Sequence, residues 1–159
     1  MKIEALTTDE LETLIGNYQR LGQTDKPTYA EAKAELQRRA SRTLDVDITR
    51  RAILRSARKR DFLTYGDIAR ENGVPWTKAY RPIASHLDEV MRIAHERGEP
   101  LLTAIVVNEA GRRTGQLEDN ALKGFIEGAK RLGLSPRSPQ IFLREQQRLT
   151  FDAAAKLLD

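Results

Sequence analysis

The residues of this sequence best suited to do chemistry are its arginines and lysines, which cluster in one stretch. Residues 38–60 hold nine basic and two acidic side chains, although the whole chain of 159 residues carries a net charge of only +4. A local excess of this kind binds phosphate groups through the release of their counterions. A solvated helix face produces the same pattern, so the charge run alone leaves both interpretations open.

Two further groups of polar side chains would extend the same basic surface. One group lies between residues 77 and 85, and the other is an arginine pair at residues 112–113. Side chains of these types donate hydrogen bonds to phosphates and base edges. The predicted nucleic-acid-binding residues are Arg50, Arg51, Arg55, Arg58, Lys59, Thr77, Lys78, Tyr80, Arg81, Ser85, Arg112 and Arg113. Packing beside a turn would also explain Trp76 and Tyr80, and solubility would explain arginines at a loop tip.

Residues that could support catalysis are sparse. The chain has no cysteine, which excludes disulfides, zinc fingers and thiol nucleophiles. Its two histidines, His86 and His95, stand nine apart and do not share a helix face at i, i+4 spacing. Asp67 and Glu71 do have that spacing, and they are the candidates for a small metal-dependent nuclease. We expect a non-catalytic protein without cofactor or metal, with the nuclease as an alternative.

The elements that would position the basic residues follow the order of a winged helix. Thr49 is predicted to cap a helix that runs through Arg60, and Phe62 begins a short extended segment. A brief helix follows over residues 65–73 and closes at a glycine, and a longer one begins between residues 77 and 82 and ends at residue 97. Residues 101–107 then read as a strand that returns through residues 112–115 as a β-hairpin. In such folds the helix after the turn enters the major groove and the hairpin contacts the backbone.

Flanking segments complete a mainly α fold with one β-hairpin. Residues 1–42 are predicted to form an N-terminal helical hairpin, with Thr7 and Thr28 as helix caps. Residues 49–159 would form the winged-helix-like domain, which ends in helices over about residues 117–132 and 140–157. The longest apolar run, residues 101–107, is far shorter than the ~20 residues that span a bilayer. We therefore expect a cytoplasmic protein that does not enter the membrane.

The stretch Tyr65-Gly66-Asp67-Ile68-Ala69, followed by Gly73, Pro75 and Arg81, resembles the DNA-binding domain of the alkylguanine alkyltransferase and alkyltransferase-like family. The likeness covers about residues 63–115. In that family a tyrosine and a helix arginine help to extrude a base. The resemblance implies that Tyr65 and Arg81 are their counterparts, which adds Tyr65 to the predicted binding set. The family's Pro-Cys-His-Arg run is absent, so alkyl transfer is excluded.

A longer resemblance covers about residues 49–155. Tyr-Gly-Asp-Ile-Ala, the apolar run from Pro100 to Asn108, Gly124-Phe125 and Leu132-Gly133 resemble an uncharacterised bacterial domain that occurs alone or joined to HNH-type restriction nucleases. This resemblance implies a nucleic-acid-sensing module in restriction or phage defence. Residues 111–115 depart from the Gly-x-Pro-Gly of that domain.

These observations favour a DNA-binding protein that acts in restriction, phage defence or transcription regulation. The alternative from another class is a protein-interaction or adaptor module of a nuclease system, because winged helices also bind proteins. The sequence leaves the oligomeric state open.

Overall fold

The computed structural model describes residues 2–40 and 44–157, with only the backbone described for residues 37–40. The chain divides into two compact units, residues 1–43 and residues 44–159. Both units are built mainly from helices. No helix of the described ranges is both long and apolar enough to cross a bilayer.

The first unit is a helical hairpin. A 3₁₀ turn at Ile3–Ala5 precedes α1 (Thr8–Arg20) and α2 (Pro27–Ala40). The predicted cap at Thr7 is confirmed, since its hydroxyl accepts from the Glu10 N–H at 3.1 Å and the Glu10 carboxylate accepts from the Thr7 N–H at 2.8 Å. The cap predicted at Thr28 is wrong, because α2 already begins at Pro27, whose fixed φ suits a first helical turn.

The second unit begins with α3 (Val46–Arg58), which starts earlier than predicted. Asp45 is the N-cap, and its carboxylate accepts from the Ile48 N–H at 3.0 Å. Thr49, the predicted cap, instead lies fully buried inside the helix. Its hydroxyl oxygen accepts from the Asn72 side-chain amide at 3.0 Å, so the residue connects two helices and caps neither.

Three helices follow β1 (Leu63–Thr64): α4 (Tyr65–Glu71), α5 (Trp76–Ala79) and α6 (Ile83–Glu96). Gly73 closes α4 with φ 68°, as predicted. The long helix predicted from residues 77–82 onward is two helices, because the chain turns at residues 80–82 before α6. The buried stripe predicted for α6 is confirmed at Ile83, Leu87, Val90, Met91 and Ala94.

The β-hairpin predicted over residues 101–115 is wrong. Residues 101–107 are buried throughout, but Leu102–Ile105 form a 3₁₀ turn and only β2 (Val106–Val107) is extended. β2 pairs with β1 in parallel, with Leu63 opposite Val106. Within the described ranges this pair is the whole sheet. Residues 109–111 form another 3₁₀ turn, so residues 112–115 do not return as a strand.

The apolar run folds as a 3₁₀ turn because it serves two clusters of core residues. Leu102 and Ile105 pack into the cluster of α3, α6 and β1, whereas Leu101 and Ala104 pack into the cluster of α7 (Asp119–Arg131) and α8 (Pro139–Ala154). Residues three apart share a face in a 3₁₀ helix, which matches this division. The run therefore lies at the centre of the second unit.

Candidate nucleic-acid interface

Arg50, the first predicted binding residue, is not on the surface. Its guanidinium forms a two-pronged ion pair with Glu99, in which Nη2 donates to Oε2 at 2.6 Å and Nη1 donates to Oε1. Each side chain is only 9% exposed. Little of this guanidinium is therefore available to a nucleic acid, and its binding role stays a prediction that the ion pair does not favour. Its position on the inner face of α3 brings it against the chain that follows α6.

Arg58 and Arg55 also have structural partners. Arg58 donates to the carbonyl oxygens of Ala154 at 3.2 Å and Leu157 at 2.6 Å, where it satisfies the C-terminal end of α8. Arg55 donates to Glu71 at 3.2 Å in an exposed ion pair that joins α3 to α4. Both arginines therefore hold helices together, and neither offers an unengaged guanidinium.

Arg51 and Lys59 are the predicted residues of α3 that stay exposed without an ion pair to any described residue. Arg51 donates only to the Asp47 carbonyl oxygen at 3.3 Å, and Lys59 follows the last residue of the helix. The side chains of Arg38, Arg39 and Arg42, which supply a third of the basic run, lie outside the described residues. The described part of the run is thus much less available to phosphate than its composition indicates.

A polar groove of about 280 Å³ lies between α3, α4 and the turn after β2. Its basic side chains are Arg55, Lys59, Arg70 and Arg112, and its acidic side chains are Asp61, Asp67 and Glu71. Because the two signs nearly balance, the groove is a network of ion pairs and a poor site for a phosphate anion.

Arg112 is not the tip of a wing. It donates to Asp67 Oδ2 at 2.9 Å and to Glu109 at 3.0 Å, so two carboxylates neutralise it. Burial alone would raise the pKa of Asp67, but the hydrogen bond from the Thr64 N–H and the pairing with Arg112 outweigh it and lower that pKa. The next residue, Arg113, is exposed and pairs with no described residue.

The acids suggested for a nuclease are also engaged. Asp67 completes a capping box with Thr64 at the start of α4, and its side chain is only 15% exposed. Glu71 pairs with Arg55. Among the described residues no three histidines or carboxylates gather in a way that could hold a metal ion. The geometry therefore gives Asp67 and Glu71 a role in positioning α4.

Tyr65, the predicted counterpart of a base-extruding tyrosine, is partly buried against the core. Burial raises the pKa of its hydroxyl, and the nearby Glu118 carboxylate raises it further. It lines a cavity with residues of α6 and α7, whereas Asp67 and Arg112 line the polar groove. The structure thus gives Tyr65 a different neighbourhood from the arginines.

The predicted residues around α5 do come together on an exposed surface. We use the name α5 surface for Trp76, Thr77, Lys78, Tyr80 and Arg81. Trp76 and Tyr80 are each 48% exposed, which is unusual for such large rings. Thr77 and Arg81 are exposed, Lys78 is partly exposed, and neither cation pairs with a described carboxylate. Ser85, at the start of α6, is exposed and donates to the Pro82 carbonyl oxygen at 3.0 Å.

Buried packing of Ala79 fixes the position of the α5 surface. Ala79 is fully buried and packs with Ala69 of α4 and Val74 of the turn. Above it, Arg81 Nε donates to the Tyr80 hydroxyl at 3.0 Å, and the guanidinium carbon lies 5.6 Å from the Tyr80 ring centre. A cation beside an aromatic face is therefore presented to solvent on a fixed support.

Sequence reasoning left Trp76 out of the binding set, because a tryptophan beside a turn is more often buried. The signal that could have included it is its neighbours Lys78, Tyr80 and Arg81, since aromatic residues and arginine are enriched at interfaces. The exposure of the ring becomes visible only in the fold.

Comparison with known proteins supplies no identity for this geometry. No protein-family model, no curated protein and no solved structure matches the chain.

Proposed function

We propose that the second unit is a non-catalytic DNA-binding domain that uses the α5 surface. The observation that carries this proposal is the pairing of two half-exposed aromatic rings with cations that no described carboxylate neutralises. Aromatic faces stack on bases, and lysine and arginine contact phosphates. The other arginines contribute less, because Arg50, Arg55, Arg58 and Arg112 are held by protein groups.

The order of elements supports the same surface. α3, β1, α4 and then α5 with α6 follow the order of a winged helix, in which the last helix begins at the DNA. The α5 surface and Ser85 occupy the start of that last helical segment. Since residues 101–115 form no hairpin, we assign no groove contact to Arg112. Recognition would involve α5 and the start of α6.

The biological setting follows from the sequence resemblance alone. Likeness to the bacterial domain that accompanies HNH-type restriction nucleases suggests a role in restriction or phage defence, and transcription regulation is the other setting in which such domains act. Membership of that family stays a prediction.

Fluorescence anisotropy with labelled duplex and single-stranded DNA at low salt tests the proposal. We expect binding that weakens steeply as salt rises. The double variant Lys78→Ala with Arg81→Ala should bind roughly tenfold more weakly, and its salt slope should fall by about two. Trp76→Ala should also lose about tenfold, since one base stack contributes ~1–3 kcal/mol.

The matched control is Arg144→Ala, which removes an exposed arginine of α8 outside the α5 surface. It should bind DNA like the parent protein. Equal losses in the control and the double variant would mean that binding is diffuse and would overturn the proposal. Trp, Tyr and Arg are also frequent at protein interfaces. A partner protein that needs Trp76, combined with no DNA binding at low salt, would establish the adaptor function instead.

A further inference from the structure

A cavity of about 500 Å³ lies between α6 and α7, and no residue of the α5 surface lines it. Cavities that hold small organic ligands are of this size. Its wall is apolar and comes from Ile83, Leu87, Met91, Val106, Leu117 and Phe125. We call it the α6–α7 pocket. Such a wall favours a ligand with an apolar body.

Two hydroxyl groups in the wall have no partner within the described ranges. Thr103 is only 6% exposed and lines the pocket, and its hydroxyl, which is not fully enclosed, bonds to no described group. Tyr65 lines the same pocket, and its hydroxyl also lacks a described partner. Because burial raises the pKa of Tyr65, this hydroxyl stays protonated and able to donate. A ligand in the pocket can bond to these hydroxyls in place of solvent.

The rim of the pocket carries more negative than positive charge. Asp88 pairs with Arg131 at 2.8 Å, which leaves Glu127 without an ion-pair partner among the described residues. This local excess of negative charge contrasts with the net charge of +4 for the chain. It would attract a ligand with a cationic end.

Space at the mouth of the pocket depends on Gly124. A Cβ built on Gly124 meets no atom within 4 Å, whereas one built on Gly128, a single turn later, would collide with the Met91 side chain. The first glycine therefore borders open space and the second is closely packed. This contrast shows where a side chain could fill the pocket without straining the helix.

We propose that the α6–α7 pocket binds a small arylalkylamine, with a hydrogen-bonding group that reaches Thr103 and an ammonium group beside Glu127. The apolar wall holds the ring. The hydroxyls of Thr103 and Tyr65 select a polar atom at its inner end, and the acidic rim selects the cation. The site is separate from the α5 surface, so it can be tested whether or not the protein binds DNA.

The test measures binding of three probes to the full chain by calorimetry and by amide chemical-shift changes. The probes are tyramine, phenethylamine, which lacks the hydroxyl, and hydroxyphenylpropionate, which carries a carboxylate in place of the amine. We expect tyramine to bind about fivefold more tightly than phenethylamine, as one net hydrogen bond provides. Hydroxyphenylpropionate should bind most weakly. Equal affinities for the three probes, or no binding of any, would overturn the proposal.

Variants localise the site. Gly124→Leu should abolish tyramine binding and leave the protein folded, because it fills open space on a helix. Gly16→Leu is the matched control, since Gly16 of α1 also borders open space and lies in the first unit. Thr103→Val keeps the shape and removes the hydroxyl, so it should lower tyramine affinity about fivefold and leave phenethylamine affinity unchanged. Tyramine binding that survives both Gly124→Leu and Thr103→Val would place the ligand elsewhere.

Discussion

Arg50 and Glu99 meet inside the second unit as a matched pair of charges. Both side chains are 9% exposed, and the two terminal guanidinium nitrogens each donate to a different carboxylate oxygen. The pair joins the first turns of α3 to the segment between α6 and Leu101. Each charge is stable in this position only because the other is present.

Removal of one partner of this pair should therefore be costly. Glu99→Gln leaves the Arg50 charge buried without compensation, and we expect a loss of about 3–5 kcal/mol in the free energy of unfolding. Chemical denaturation followed by circular dichroism measures the change. The double variant Arg50→Met with Glu99→Leu should recover most of the loss, because no charge then remains buried.

Arg60 and Asp152 provide the control for this prediction. They form an ion pair at 2.9 Å whose side chains are 63% and 48% exposed. Arg60→Ala should cost less than ~1 kcal/mol, as is usual for surface pairs. A loss from Glu99→Gln as small as that from Arg60→Ala would contradict the buried role of the pair.

His86 should make the stability of the protein sensitive to mild acid. Its Nε2 lies 2.7 Å from the buried Thr49 hydroxyl, which also accepts from Asn72. Burial lowers the pKa of His86 below its ordinary value of 6.5, although Asp45 opposes the shift. The folded state therefore favours neutral histidine. This stability is present above the unfolded pKa and is lost as the pH falls through the folded pKa.

Thermal unfolding at a series of pH values between about 8 and 5 checks this expectation. The parent protein should lose stability below pH 6.5. His86→Gln keeps a polar atom near Thr49 and cannot titrate, so its stability should vary less over the same range. Parallel curves for the two proteins would show that His86 is not responsible.

Arg112 should matter for acid stability and not for DNA binding. Because it helps to lower the pKa of Asp67, the pair contributes stability above the unfolded pKa of that carboxyl, which is lost as the pH falls through the folded pKa. Arg112→Gln should raise the pKa of Asp67 in a carboxyl NMR titration and move acid unfolding to higher pH. A marked loss of DNA affinity in this variant would show that Arg112 contacts DNA after all.

The two glycines of α7 should respond oppositely to the same substitution. Gly124→Ala places a methyl group in open space and should stabilise the helix by about 0.5–1 kcal/mol. Gly128→Ala forces the Met91 side chain to move and brings a carbon within 3.1 Å of Asp88 Oδ1, so it should destabilise the protein. Melting temperatures of the two variants decide the matter, and a shift of the same sign in both would contradict the packing described.

Local signals explain what the sequence could predict. The Thr7 cap, the Gly73 helix end and the apolar stripe of α6 depend on residues within one or two turns of each other. The strand prediction for residues 101–107 is wrong because a run that is buried on every side shows no period that distinguishes a strand from a helical turn. The exposure of individual basic side chains is less predictable from sequence than the fold. Arg50 and Arg51 are neighbours of identical type, and only their direction on α3 decides that one is buried against Glu99 and the other faces solvent.

The position of α8 has a consequence for how the chain folds during synthesis. Gln147 of α8 donates to the carbonyl oxygens of Ala104 at 2.9 Å and Gly115 at 2.8 Å. These two residues precede Gln147 by 43 and 32 positions in the sequence. α8 is the last described helix to leave the ribosome. Until it emerges, these carbonyls and the faces of Leu101 and Ala104 that pack with Leu143 of α8 lack this cover, and the nascent chain is open to aggregation or to chaperones. The native core of the second unit is therefore completed after translation of its other helices has finished.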